Sequence, residues 1–112
     1  CRKMLENRAV PITILPLCPS CGGLLRPHIV WFGESVAEED LERSAAALQR
    51  SDVCLIVGTS GLVYPAAGFG AIAKQAGAYI VEINLDSTPQ SSLADATLQG
   101  RARDLVPLLL EP

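Results

Sequence analysis

Neither a Gly-x-Gly-x-x-Gly fingerprint nor a Walker lysine occurs in this sequence, which closes the ordinary dinucleotide and P-loop routes to nucleotide binding. Basic clusters are also missing. The nine Lys and Arg residues are scattered along a chain of net charge −3, which argues against a nucleic-acid or anionic-membrane surface. No apolar run approaches the roughly 20 residues that span a bilayer. The start, Cys-Arg-Lys-Met-Leu-Glu, has no long apolar segment behind its charges and so does not read as a secretory signal. The chain opens on cysteine instead of methionine, so a piece of a longer protein is expected. Histidine occurs once, as His28.

What is present describes a folded domain. At 112 residues and 49% hydrophobic, the chain can bury one real core, and disorder is not expected. Its cysteines fit a reducing, cytosolic setting, where metal binding outranks disulfides. Cys18-Pro-Ser-Cys21-Gly-Gly sets two thiols two residues apart, with glycines that let the backbone turn beneath a metal. Cys1 precedes that pair with sixteen residues intervening, a spacing within the range of a four-cysteine zinc ribbon. A fourth ligand would then precede residue 1. The plainer alternative is unconnected thiols in a loop. Cys54, inside Val53-Cys-Leu-Ile-Val57, reads as a small core residue.

Arg26-Pro-His-Ile-Val-Trp-Phe-Gly-Glu34 is extended by its proline and its β-branched and aromatic run, and by itself such a run is usually a core strand. Ser35-Val-Ala-Glu38 has the form of a capping box. It opens an amphipathic helix to about Arg50, with Leu41, Ala45 and Leu48 on one face. Asp52–Gly58 carries five apolar residues without alternation, which predicts a strand buried on both faces of a parallel sheet. An Ala/Gly-rich helix over about 66–75 and a strand over 79–83 complete a βαβ unit. Residues 85–99 read as a polar loop. A last short helix is expected over 104–110, with Asp104 capping it and Pro107 in its first turn.

In an open parallel sheet, ligands bind beyond the carboxyl ends of the strands. Gly58-Thr59-Ser60 and Asn84 both fall there. The first offers amides and hydroxyls without bulk, suited to phosphate or ribose, and the second a partner for a ribose hydroxyl or an adenine edge.

Three stretches in one order, Cys-Pro-Ser-Cys-Gly-Gly-Leu-Leu-Arg-Pro-His-Ile-Val-Trp-Phe-Gly-Glu (18–34), Gly-Thr-Ser-Gly-Leu-Val-Tyr-Pro-Ala-Ala (58–67) and Ile-Asn-Leu-Asp (83–86), resemble the C-terminal portion of a sirtuin, an NAD-dependent protein-lysine deacylase. The Val-Trp-Phe-Gly-Glu form is most similar to the bacterial and mitochondrial branch that includes desuccinylases. The resemblance implies an α/β fold: a zinc-binding module over 1–25 and the C-terminal part of a Rossmann-like NAD-binding domain over 26–112. It implies Cys1, Cys18 and Cys21 as structural zinc ligands. Val30 and Phe32 would line an acyl-lysine tunnel, and the backbone of Gly33 and Glu34 would pair with a substrate peptide. NAD would meet Gly58, Thr59 and Ser60, then Asn84, Leu85 and Asp86 through its adenosine ribose, and Ala102 through adenine. The expected products are free lysine, nicotinamide and an O-acyl-ADP-ribose.

The family's Gly-Ala-Gly-x-Ser loop, Gln-Asn-x-Asp segment and catalytic histidine precede the zinc module, and none stands in this sequence. His28 does not match the catalytic position and is expected to be structural. The 112 residues by themselves are therefore not expected to turn over substrate. A non-catalytic zinc-ribbon and nucleotide-binding interaction module is the alternative, and a cofactor domain of a thiamine-dependent enzyme is a third reading. Upstream sequence discriminates the first two, and the Cys-x-x-Cys pair counts against the third. Acyl preference, protein substrates and oligomeric state are not legible.

Overall fold

The computed structural model of the protein describes residues 1–8, 10–12 and 14–111. They form two compact units, Cys1–Val36 and Ala37–Pro112. Residues 26–36 thus fall within the first unit.

In the first unit the regular backbone is the knuckle. Leu17 and Leu24 form an antiparallel bridge, Cys18 N–H donates to Gly23 O at 2.8 Å, and Leu25 N–H donates to Pro16 O at 2.9 Å. The 26–34 stretch is not a core strand. It pairs with no strand among the described residues, and its apolar side chains stand in solvent, Phe32 at 95% exposure. Propensity alone does not make a strand; a partner ladder and a covered face do. The stretch ends in a turn closed by Glu34 N–H donating to Trp31 O at 3.0 Å, with Gly33 at φ +88°.

The second unit is α/β. Helix α1 (Glu38–Leu48) precedes strand β1 (Val53–Val57); a 3-10 turn (Ala66–Gly68) leads into α2 (Phe69–Gln75), and β2 (Tyr79–Asn84) follows. A second 3-10 turn (Pro89–Ser92), β3 (Ala96–Gln99) and α3 (Ala102–Leu110) complete it. The three strands run parallel in the order β1-β2-β3. Ala73, Ala78 and Ile80 form the buried centre, with Leu48, Cys54, Ile56 and Ala94 packed on it. The expected face of α1 and the expected core placement of Cys54 are borne out; burial also raises the Cys54 thiol pKa.

Four local expectations are corrected. The helix N-cap is Ala37, without a side-chain bond, so Ser35-Val-Ala-Glu38 forms no capping box. Strand β1 is not buried on both faces. Cys54 and Ile56 point to the core, while Val53, Leu55 and Val57 on the other face remain 38% to 54% exposed. The 85–99 segment is not a loop throughout, because it contains the Pro89–Ser92 turn and β3. Strand β3 is hard to read because it is four residues long and opens on alanine. Its Ala96 and Leu98 lie half-buried beside Val81 and Ile83, on the face that carries Leu55 and Val57. Finally, α3 begins at Ala102, so Pro107 lies inside the helix and Asp104 is not its cap. The proline deletes one interior N–H.

Candidate functional site

Within the first unit, Cys1, Cys18 and Cys21 bring their sulfurs to within 4.8 Å of one another. Cys1 Sγ and Cys18 Sγ are 3.7 Å apart. Four thiolates at about 2.3 Å from a tetrahedral zinc lie about 3.8 Å apart, so this edge already has the required length. Backbone N–H groups of Ser20 and Cys21 aimed at the Cys18 sulfur hold its thiol below its ordinary pKa, which favours the thiolate a metal needs. The same turn is closed by Gly22 N–H donating to Cys18 O at 2.8 Å. All four cysteines are free thiols, and Cys54 lies in β1, outside the cluster. The cluster is a donor set that could hold a metal ion.

The rest of that unit presents Val30 at 52% exposure and Phe32 at 95%. Glu34 is tied back: its carboxylate accepts Trp31 N–H and an Arg26 guanidinium N–H, each at 3.1 Å. Those two donors, Trp31 first, lower its pKa. Glu34's own N–H is used on Trp31 O, so only other backbone groups of Gly33 and Glu34 are open to a partner. His28 is exposed in a bend, and the structural role expected of it is not seen.

In the second unit the carboxyl ends of β1 and β2 are stitched together. Gly58 N–H donates to Ile83 O at 2.9 Å. Asn84 Nδ2 donates to Thr59 O at 2.7 Å, and Asn84 Oδ1 accepts Leu85 N–H at 2.9 Å. Thr59 Oγ1 accepts Gly61 N–H at 3.2 Å, which leaves the hydroxyl proton to donate. Gly58, Ile83, Asn84 and Leu85 then wall a cleft of about 450 Å³, together with Gly100, Arg101, Ala102 and Arg103. This volume suits a small-molecule ligand. The first turn of α3 forms one side, adding the positive end of a helix and the residues Arg101 and Arg103, the latter paired at 3.4 Å with Asp104.

Of the residues expected around NAD, the structure therefore brings Gly58, Asn84, Leu85 and Ala102 to one cleft, with Thr59 bonded to it. Ser60 is exposed in the loop beside it. Asp86 lines a separate small recess with Glu82, Ser87 and Ser91. Arg101 and Arg103 were missed from the sequence. Their signal is Gly-Arg-Ala-Arg opening a helix, two bases beside free helix amides.

The Sir2 family pattern matches residues 1–65, more than half of the sequence. The chain belongs to the Sir2 family. Its relatives include NAD-dependent protein deacylase 2 of Pyrobaculum aerophilum, 51% identical over 96 residues, a match covering 86% of this chain and 39% of the relative. NAD-dependent protein deacylase 1 of Archaeoglobus fulgidus is 43% identical over 107 residues, covering 95% of this chain and 44% of the relative. Among solved structures, a Sir2 homologue in complex with NAD matches 97% of this chain and 43% of its own, with TM-score 0.88 and 43% identity. A Sir2 complex with a p53 peptide and NAD+ matches 86% of this chain and 40% of its own, with TM-score 0.74 and 30% identity. This Sir2-family chain thus spans about two fifths of the length of these relatives. The α/β fold with its parallel sheet is the fold of those neighbours. No helix among the described residues is long and apolar enough to cross a membrane.

Proposed function

We propose that this chain is the part of an NAD-dependent protein-lysine deacylase that holds the adenosine side of NAD, a structural zinc and the acyl-lysine arm. The observation that carries the reading is the Asn84–Thr59 bond: it joins two loops that are 25 residues apart into one wall of the cleft. The deacylase names of the relatives and the NAD bound to the Sir2 neighbour support it.

NAD, when bound, would supply the ribose whose oxygen takes the acyl group from lysine as nicotinamide leaves. The chain's own residues would bind and orient. The Thr59 hydroxyl and the Ser60 side chain and amide would donate to ribose or phosphate oxygens. Asn84 would hold the loop geometry and keep one amide proton for a ribose hydroxyl, and Leu85 and Ala102 would offer apolar contact to the nucleoside. Arg101 and Arg103 would add positive charge near the diphosphate. Cys1, Cys18 and Cys21 would hold zinc, whose role is to pin the knuckle and not to react. The exposed Val30 and Phe32 would cover the acyl chain, and free backbone groups at Gly33 and Glu34 would pair with the peptide. No proton transfer is assigned to His28.

Nicotinamide release from NAD, measured with acetyl-lysine and succinyl-lysine peptides and the complete protein, tests this. Release that needs the peptide is expected, and the ratio of the two rates gives the acyl preference. Asn84→Ala should weaken NAD binding by about 1 kcal/mol or more, the net worth of the hydrogen bonds lost with its half-exposed amide. No peptide-dependent release, or an unaltered NAD titration for Asn84→Ala, would refute the reading.

A further inference from the structure

The 3-10 turn between β2 and β3 bonds to the β1 loop and to the strand that leads into the 84–86 loop, and nothing above gives it a task. Glu82, on β2, is 2% exposed, and no cation among the described residues forms an ion pair with it. Its two carboxylate oxygens instead accept the hydroxyls of Thr88 and Ser91. Those hydroxyls in turn accept backbone N–H groups, Gln90 N–H on Thr88 Oγ1 at 3.0 Å and Thr88 N–H on Ser91 Oγ at 2.9 Å. Each hydroxyl spends its single proton on the carboxylate and a lone pair on the backbone, so every member is satisfied. The turn is thereby locked to the strand two residues before Asn84.

Its other side reaches the β1 loop. Gln90 Nε2 donates to Gly61 O at 3.3 Å and to Ala67 O at 3.1 Å. The Gln90 stem fills the space beside Gly61 so closely that a Cβ there would meet Gln90 Cγ at 2.5 Å. Gly61 lies two residues after Thr59. The turn therefore ties the 58–61 loop to the end of β2 just before Asn84, while Asn84 and Thr59 join the two loops at the cleft.

We propose that the Thr88–Ser92 turn is a brace that sets the separation of the two nucleotide-facing loops, with Glu82 and Gln90 as positioning residues for the adenosine side of NAD. This rests on the NAD reading above. Neither residue lines the cleft where the nucleotide would sit, so both act through Thr59 and Asn84.

The test uses the complete protein, with calorimetric titration of ADP-ribose and steady-state kinetics. Gln90→Glu keeps the shape but turns a donor into an acceptor facing two carbonyls. It should weaken ADP-ribose binding by about tenfold or more, the factor expected for a lost, opposed hydrogen bond. KM for NAD should rise by a similar factor, with KM for the acyl peptide unchanged. Thr88→Val should do the same, and Thr88→Ser, which restores the hydroxyl, should bind as the parent does. If the parent ignores ADP-ribose, or Asn84→Ala binds it equally well, the NAD reading fails and the brace falls with it. If Asn84→Ala weakens binding while Gln90→Glu does not, the brace alone is wrong. Equal losses for nucleotide and peptide would make the turn merely structural and overturn the proposal. Should Gln90→Glu fail to fold, the contrast between Thr88→Ser and Thr88→Val decides.

Discussion

Asp95 shows how one side chain can define where a strand begins. Its carboxylate accepts Ile80 N–H at 2.8 Å, and its own N–H donates to Ile80 O at 2.8 Å. The second oxygen side pairs with Lys74 of α2. These donors, the Ile80 amide first, hold its pKa below the ordinary 3.8. A lowered pKa means the contribution is fully present above the unfolded value and is lost as pH falls through the folded one. Acid unfolding of the second unit should therefore take up the proton of Asp95 below about pH 4. Asp95→Asn should reduce the proton uptake by up to about one, read as a shallower slope of stability against pH. An unchanged slope would show that Asp95 does not titrate with unfolding. At this scale the sequence disclosed little. Asn84 and the Gly58-Thr59-Ser60 turn were legible because polar residues after apolar strands have few structural uses. Asp95, Glu82 and Gln90 were not, because a polar residue in a polar segment gives no sign of the partner it will meet.

Among elements, the knuckle was the most legible, since two cysteines two apart with glycines behind them leave few alternatives. Cys18→Ser or Cys21→Ser should release about one zinc per chain. Chelator should lower the melting temperature of the parent and leave the Cys18→Ser protein unaffected, because the metal supplies folding energy only where it binds. Equal chelator sensitivity in both would argue against the site. The α2 crossover gives a second contrast. Gly77, just after α2, has φ +97° and open space where a Cβ would point, so Gly77→Ala should cost only the left-handed backbone term, about 1–2 kcal/mol. Gly70, inside α2, has ordinary φ, but a Cβ there would meet Ile56 Cδ1 at 2.8 Å and Leu93 Cδ2 at 3.1 Å. Gly70→Ala should lose about 1–3 kcal/mol through overpacking. Denaturant melts of both, with Ile56→Val added, separate the mechanisms: Ile56→Val should relieve Gly70→Ala and leave Gly77→Ala as it was. The elements misread were those with weak local signals. Strand β3 is short, and the Ser35 capping box is chemically plausible but Ala37 caps α1 in its place.

For the molecule as a whole, the sheet has one face under α2 and another on which Val53, Leu55, Val57 and Tyr79 are each more than a third exposed. A contiguous apolar face of this kind drives association. The 112-residue chain prepared alone should self-associate with rising concentration, and Leu55→Lys should suppress this with little loss of stability. Sedimentation showing a monomer at all concentrations would contradict it.

The sequence by itself determined the parallel β-α-β order, the thiol pair, the polar turns beyond the strands and the family, because periodicity and short motifs are local properties of the chain. Only the tertiary structure decided which polar groups share a wall, which face of β1 meets the core, and what the 88–92 turn holds. Those depend on contacts between residues far apart in the chain, such as Gln90 with Gly61 and Asn84 with Thr59. Such a contact forms only once the sheet has brought its two ends together.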